Sequence, residues 1–247
     1  MSSADHSLGN VPGAFPPTRW SLLQRVGEGT KAQKDVWENL ASTYWKPVFA
    51  YVRTRFAPSA EEAHDEAAEF FVWMFESDFL ERADPERGRF RAFVKVALSN
   101  FFRDRARMRS AQKRGGRQSF VPWTSETGET FDLPDVRGRL PEEVLDETWR
   151  KELLEGAARE LEEELEARGR GVVFHVFRDY FLEAEELDYG AVAERYGIAR
   201  SDVSNHLQLA KCRYRAILRN RVADTVRDEE ALEEELRWLF SKAESGS

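Results

Sequence analysis

Apolar residues recur at intervals of three and four along most of this chain, and that spacing limits the folds open to it. Phe90, Phe93 and Val94 begin one such series, and Leu207 and Ala210 belong to another. No segment alternates apolar and polar residues for long, as a half-buried strand would, and no internal repeat is evident. We therefore expect an all-α fold with two small helical domains joined by a flexible linker.

Local signals predict where some helices begin and end. Ser59 followed by Glu62 forms a capping box ahead of an apolar stripe. A long acidic helix is expected over 142–167, ended by Gly169. Pro47 interrupts the helical pattern that starts at residue 34, so that region is either two helices or one kinked helix.

Composition divides the chain into five parts. Residues 1–17 are a flexible lead rich in Ser, Gly and Pro, and residues 18–114 are the first helical domain. Residues 115–141 contain Gly and Pro without a sustained period and are expected to be the linker. The second helical domain then covers 142–223, and residues 224–247 form an acidic C-terminal extension.

Several classes of protein are disfavoured. The apolar runs are far shorter than the roughly 20 residues that cross a bilayer, and residues 1–10 lack the parts of a signal peptide. We expect no membrane partner and a cytoplasmic location. Cys212 is the one cysteine and the four histidines show no zinc spacing, so we expect neither a metal nor another cofactor. Because no phosphate loop or paired nucleophile is present, we do not expect an enzyme.

Charge is segregated along the chain, although the net charge is −8. Residues 82–117 carry twelve basic and three acidic residues, a balance of +9, and residues 200–221 carry six and one, or +5. Residues 140–168 carry eleven acidic and four basic residues, or −7, and residues 224–247 carry eight and three, or −5. Net acidity therefore does not exclude DNA as a partner.

The most specific local pattern lies at 189–207 and indicates a helix-turn-helix. Ala193, Gly197 and Val203 are spaced by four and six residues, which places a small residue at a helix crossing, a turn former, and an apolar anchor in the second helix. Ser201 is expected to cap that second helix. An ordinary helical hairpin with a solvated face is the alternative.

If this helix lies in a major groove, its early polar residues meet base edges. Asn205 and Gln208 have the amide chemistry that pairs with adenine. The residues placed for phosphates are Arg200, Lys211, Arg213 and Arg215. The few cations predict weak DNA binding by the chain alone. The candidate residues for this surface are Arg200, Ser201, Asp202, Ser204, Asn205, His206, Gln208, Lys211 and Arg213.

Three segments of the first domain carry a family resemblance: 59–71, 78–93 and 111–116. They read SAEEAHDEAAEFF, DFLERADPERGRFRAF and AQKRGG, and they resemble the extracytoplasmic-function group of bacterial sigma factors. The likeness is closest to a branch common in planctomycetes and myxobacteria. Residues 192–215 are similar to the sigma module that reads the minus-thirty-five promoter element.

The resemblance implies two further surfaces. One docks on core RNA polymerase, and its matching positions are Glu61, Glu62, Asp65, Glu66, Glu69, Phe70 and Phe71. The other opens and reads the minus-ten element, with the matching positions Arg89, Phe90, Arg91, Asn100, Arg103 and Arg107. At helical spacing Phe93 and Phe101 are expected in the core, while Phe90, near a loop, is the expected base contact.

The chain departs from the family pattern at two places. Residues 64–68 read HDEAA where relatives have an acidic pair followed by Leu-Thr-Gln, and 204–206 read SNH in place of a more basic triplet. The resemblance implies a sigma factor whose partners are core RNA polymerase and promoter DNA, with an anti-sigma factor or a kinase as a further candidate. The alternative is a helix-turn-helix regulator that acts without polymerase. We also hypothesise that the extension 224–247 shields the basic helix 200–221.

Overall fold

The computed structural model describes residues 31–56, 59–77, 89–112, 138–182, 188–223 and 225–241. Within these ranges the chain forms eight α-helices and no strand, which confirms the all-α prediction. The predictions for the lead 1–17 and for most of the linker 115–141 lie outside the described residues. The helices are α1 (Lys31–Phe56), α2 (Ala60–Glu76), α3 (Phe90–Gln112), α4 (Pro141–Ala167), α5 (Gly171–Phe181), α6 (Tyr189–Tyr196), α7 (Arg200–Ala223) and α8 (Glu229–Ser241).

The local signals act largely as the sequence predicts. The Ser59 amide donates to Glu62 Oε2 at 2.9 Å, and the Glu62 amide donates to Ser59 Oγ at 3.1 Å, so the capping box is present. Pro47 lies inside α1, which is a single helix, so the alternative of two helices was wrong. Helix α4 ends at Ala167, and Gly169 follows at a φ of 66°, a conformation that favours glycine.

One large core joins residues from both halves of the chain. Tyr44 and Val48 of α1 pack in the same cluster as Leu145 and Trp149 of α4. The cluster also contains Leu218 of α7, and α8 contributes its own apolar residues. The division into two domains stays a prediction, but the first half does not stand apart from the second in this structure.

A second, smaller core supports α6 and the start of α7. Val176 of α5, Val192 and Ala193 of α6, and Val203 and Leu207 of α7 form it, and each is at least nine-tenths buried. Partly buried aromatic residues surround these five side chains. The start of α7 is therefore held by its own group of contacts, apart from the large core.

Candidate nucleic-acid interface

Helices α6 and α7 are joined by a short turn with a defined geometry. Asp188 caps α6, since its carboxylate accepts the amide hydrogens of Gly190 and Ala191. Gly197 ends α6 at a φ of 63°, and the Ile198 amide donates to the Ala193 carbonyl at 3.0 Å. The left-handed glycine lets the chain reverse into α7 within three residues.

Asp179 of α5 holds the end of α6 against α5. Its carboxylate is 1% exposed and accepts hydrogen bonds from Arg195 Nη1 at 2.8 Å and Tyr196 Oη at 2.5 Å. Burial would raise the pKa of Asp179, but these hydrogen bonds outweigh burial and lower it. The buried carboxylate is thus ionised and orients the helix that precedes the turn.

The polar face of α7 is exposed along its first half, opposite a buried stripe that contains Val203, Leu207 and Ala210. The helix begins at Arg200, so Ser201 lies in its first turn and does not cap it; the capping prediction was wrong by two positions. Among the candidate positions, Arg200, Ser201, Ser204, Asn205, Gln208 and Lys211 are exposed, and Asp202, His206 and Arg213 are half-buried.

Two of the expected phosphate contacts already have partners within the chain. Arg213 Nη2 donates to both carboxylate oxygens of Glu164, at 2.7 and 2.6 Å. The ammonium of Lys211 lies 4.2 Å from the ring centroid of Phe181. Arg213 therefore links α7 to α4, whereas Lys211 remains exposed and accessible to a phosphate.

The expected base contact Phe90 is a core residue in this structure. It is 1% exposed, and its ring centroid lies 5.3 Å from that of Tyr44 in an edge-to-face arrangement. Helix α3 begins at Phe90, and its first side chain points into the large core. A base cannot stack on Phe90 in this conformation. Phe101 is 6% exposed and Phe93 packs against the core, as expected for both.

Arg91 is also buried, although it was expected to contact DNA. Its guanidinium donates to Asp146 Oδ1 at 2.5 Å and to Glu235 Oε1 at 2.9 Å, and it lies over the rings of Trp149 and Trp238. Burial would lower the pKa of Arg91, but attraction to Glu235 and Asp146 outweighs burial and raises it. Arg91 is thus a buried cation enclosed by two carboxylates and two indoles.

The later residues of α3 remain accessible. Asn100 accepts a hydrogen bond from Arg103 Nη2 at 2.5 Å, and Arg103 is exposed. Arg107 lies 3.7 Å from Asp104, and its side chain is 73% exposed. Of the minus-ten candidates, Asn100, Arg103 and Arg107 therefore form the accessible part of α3. Arg89, just before the helix, is partly exposed and pairs with Glu234 and Glu235.

The candidate polymerase contacts on α2 also differ in their exposure. Glu61 and Asp65 are exposed, as is Glu62, whose carboxylate caps the helix. The backbone hydrogen bond from Ser59 lowers the pKa of Glu62. Glu66 and Glu69 are half-buried and pair with Arg105 of α3.

The two aromatic candidates on α2 are also separated. Phe70 is 0% exposed and belongs to the large core. Phe71 is half-buried and stacks on Trp45, with ring centroids 5.5 Å apart. The accessible part of this surface is thus acidic, and Phe71 alone of the two contributes apolar area.

Sequence reasoning missed Asp146 and Glu235 as partners of α3. The available signal was the acidity of 140–168 and 224–247, which does not tell a buried carboxylate from a solvated one. Glu235 is 0% exposed although it sits in a run of three glutamates. The hypothesis that the extension shields 200–221 stays a prediction. Glu229 and Glu233 of α8 pair with Arg219 near the end of α7, and α8 also pairs with Arg89 and Arg91.

Comparisons with protein-family models, with curated proteins and with solved structures gave no match. In the described part of the chain, no cluster of His, Cys, Asp and Glu could hold a metal ion. No helix there is both long and apolar enough to span a membrane.

Proposed function

We propose that this chain is a sigma factor that binds core RNA polymerase and directs promoter recognition in the cytoplasm. The observation that carries the proposal is the exposed polar face at the start of α7, presented by the Gly197 turn on a core of its own. A helix-turn-helix places the first turns of its second helix in a major groove. Asn205 and Gln208 then read adenine edges, and Arg200 and Lys211 contact phosphates.

Helix α3 supplies a second cationic surface in the same chain. Arg103 and Arg107 are exposed on it, and the preceding segment 78–93 carries part of the family resemblance. Cations that contact phosphates are what a protein needs to hold an opened strand. Two DNA surfaces on one chain favour a protein that recognises two promoter elements.

Helix α2 supports the polymerase contact. Glu61 and Asp65 are exposed on one helix, one turn apart, with Phe71 half-buried further along. A helix-turn-helix regulator that acts without polymerase would leave this acidic surface without a role. The two functions differ in one measurable respect, since only the sigma factor requires core polymerase for specific binding.

Reconstitution with core polymerase and a promoter library tests the proposal. The full chain is expected to bind core and to direct initiation at a subset of promoters. Asn205→Ala should reduce initiation about tenfold, because one bidentate base contact contributes about 1–3 kcal/mol. Asn220→Ala is the matched control, since Asn220 is also exposed on α7 but lies near its other end.

Each result has a definite reading. Failure to bind core would exclude a sigma factor, and specific DNA binding without core would favour the regulator. Equal loss of initiation in Asn205→Ala and Asn220→Ala would show that α7 does not read bases with its first turns. Glu61→Ala with Asp65→Ala should weaken binding to core, whereas Glu76→Ala, at the exposed end of α2, should not.

A further inference from the structure

Helix α8 holds the start of α3 through side chains. Arg89 Nη2 lies 2.9 Å from Glu234 Oε2, and Arg89 Nη1 lies 2.8 Å from Glu235 Oε2. Arg91 Nη2 lies 2.9 Å from Glu235 Oε1. Two glutamates of α8 therefore neutralise two cations of the predicted minus-ten surface.

The main chain strengthens this attachment. The Phe90 amide donates to the Thr225 carbonyl at 3.2 Å, so a backbone hydrogen bond joins the first residue of α3 to the turn before α8. Val226 in the same turn is 1% exposed and belongs to the large core. The extension thus meets the start of α3 through ion pairs and one backbone hydrogen bond, and Val226 anchors the turn in the core.

Burial separates this contact from an ordinary surface ion pair. Glu235 is 0% exposed, and the Arg91 guanidinium lies 4.0 Å from the ring centroid of Trp238. Phosphates can compete for Arg89, because its pair with Glu234 is partly exposed and such pairs are weak. Arg91 becomes accessible only when α8 leaves, since its charge is buried together with that of Glu235.

We infer that α8 is an autoinhibitory helix, which occupies Arg89 and Arg91 and thereby prevents α3 from binding a DNA strand until α8 is displaced. This inference rests on the proposed function, because it assigns α8 a regulatory role at the minus-ten surface. Glu234, Glu235 and Trp238 hold the closed state. Displacement of α8 releases Arg89 from both glutamates and leaves Arg91 with Asp146 as its remaining carboxylate partner.

The experiment uses full-length variants and a labelled oligothymidine about 20 nucleotides long, which binds through phosphates and stacking without base sequence. Glu234→Lys repels Arg89, and Glu234→Lys with Glu235→Gln also weakens the hold on Arg91. The matched control is Glu233→Lys. Glu233 and Glu234 are adjacent, and their side chains are 53% and 50% exposed, respectively, but Glu233 pairs with Arg219 of α7.

Hydrogen exchange of the 229–241 amides measures the opening of α8 without reference to function. Both Glu234 variants should exchange faster there and bind the oligonucleotide more tightly than Glu233→Lys. For each arginine released, the slope of log affinity against log salt should steepen by about 0.7. Release of Arg89 corresponds to about a threefold greater loss of affinity between roughly 50 and 200 mM salt, and release of Arg91 from Asp146 as well corresponds to about sevenfold.

Faster exchange with no gain over Glu233→Lys in oligonucleotide binding would overturn the autoinhibitory role. So would wild-type protein that binds as tightly as the double variant. Binding to core polymerase by the same variants separates this result from the proposed function, because α2 is unchanged in all of them. Variants that bind core and direct initiation, but bind the oligonucleotide no more tightly when α8 opens, would refute the autoinhibitory role and leave the proposed function intact.

Discussion

Arg91 places its guanidinium over Trp238, 4.0 Å from the ring centroid, and so joins the start of α3 to α8. A second indole, Trp149 of α4, lies 4.9 Å from the same guanidinium. Cation–π contacts gain strength when water is excluded, as it is here. Three distant parts of the sequence meet at this cation, which makes it a junction between the two halves of the chain.

Arg91→Ala should lower the free energy of unfolding by about 3 kcal/mol, because it removes the buried cation from Glu235 and leaves that carboxylate only the partly exposed Arg89. Arg91→Met with Glu235→Met should recover most of that loss, since two apolar side chains can pack between the indoles. Asp146 retains Lys95, whose Nζ lies 2.6 Å away. Urea unfolding of the purified chains measures both effects.

Arg107→Ala is the control for this pair of variants. Its side chain is 73% exposed, so its removal should change the free energy of unfolding by no more than about 0.5 kcal/mol. If Arg91→Ala were as mild as Arg107→Ala, the buried ion pair would not form in solution.

Asp179→Asn should destabilise the chain by about 2 kcal/mol near neutral pH, because the ionised carboxylate accepts bonds from Arg195 and Tyr196. The pKa of Asp179 is lowered in the folded state, so its stabilising effect is present above the unfolded value of about 3.9. That effect is lost as the pH falls through the folded pKa. Urea unfolding between about pH 2 and pH 7 checks this dependence.

The difference between wild type and Asp179→Asn should therefore be constant above about pH 5 and shrink below about pH 4. Asp65→Asn is a suitable control, since Asp65 is exposed on α2 and should change stability by less than about 0.5 kcal/mol. A difference that grows on acidification would contradict the ionised state of Asp179.

Periodicity was enough to predict the helices, because each must bury one stripe of side chains. Val203 was predicted as an apolar anchor, and Leu207 and Ala210 as members of an apolar series, and all three are buried on α7. The Ser59 capping box was also predicted, since it depends on two residues three positions apart. Such local features follow from nearby sequence, whatever the rest of the chain does.

Long-range contacts could not be predicted in this way. Phe90 was expected to meet a base because it follows a loop, yet Tyr44 and the Thr225 turn enclose it. Arg91 and Arg213 were expected to face phosphates, but carboxylates 144 and 49 positions away accept from them. A basic residue in a basic segment does not reveal which distant acidic helix packs against it.

Gly197→Ala should cost about 1 kcal/mol of stability, because Gly197 has a φ of 63° and a β-carbon is strained there. A β-carbon added at this position would have no heavy atom within 4 Å, so the cost is confined to the backbone. Gly197→Asn should cost less, since asparagine tolerates this region. Thermal unfolding of the two variants gives the order, and equal stability of Gly197→Ala and wild type would contradict a left-handed turn.

Arg200→Ala and Lys211→Ala should each reduce the salt dependence of promoter binding, because both cations are exposed on the proposed DNA face of α7. Removal of one cation that binds a phosphate of duplex DNA lowers the magnitude of the slope of log affinity against log salt by about 0.9. Arg159→Ala removes an equal charge from the exposed side of α4 and should leave the slope unchanged. The measurement is a titration of the polymerase-bound chain on one promoter fragment at several salt concentrations. A phosphate contact at α7 should be lost only when a cation of α7 is removed. If Arg159→Ala lowers the slope as much as Arg200→Ala, the overall charge of the chain attracts DNA and the α7 face has no specific role.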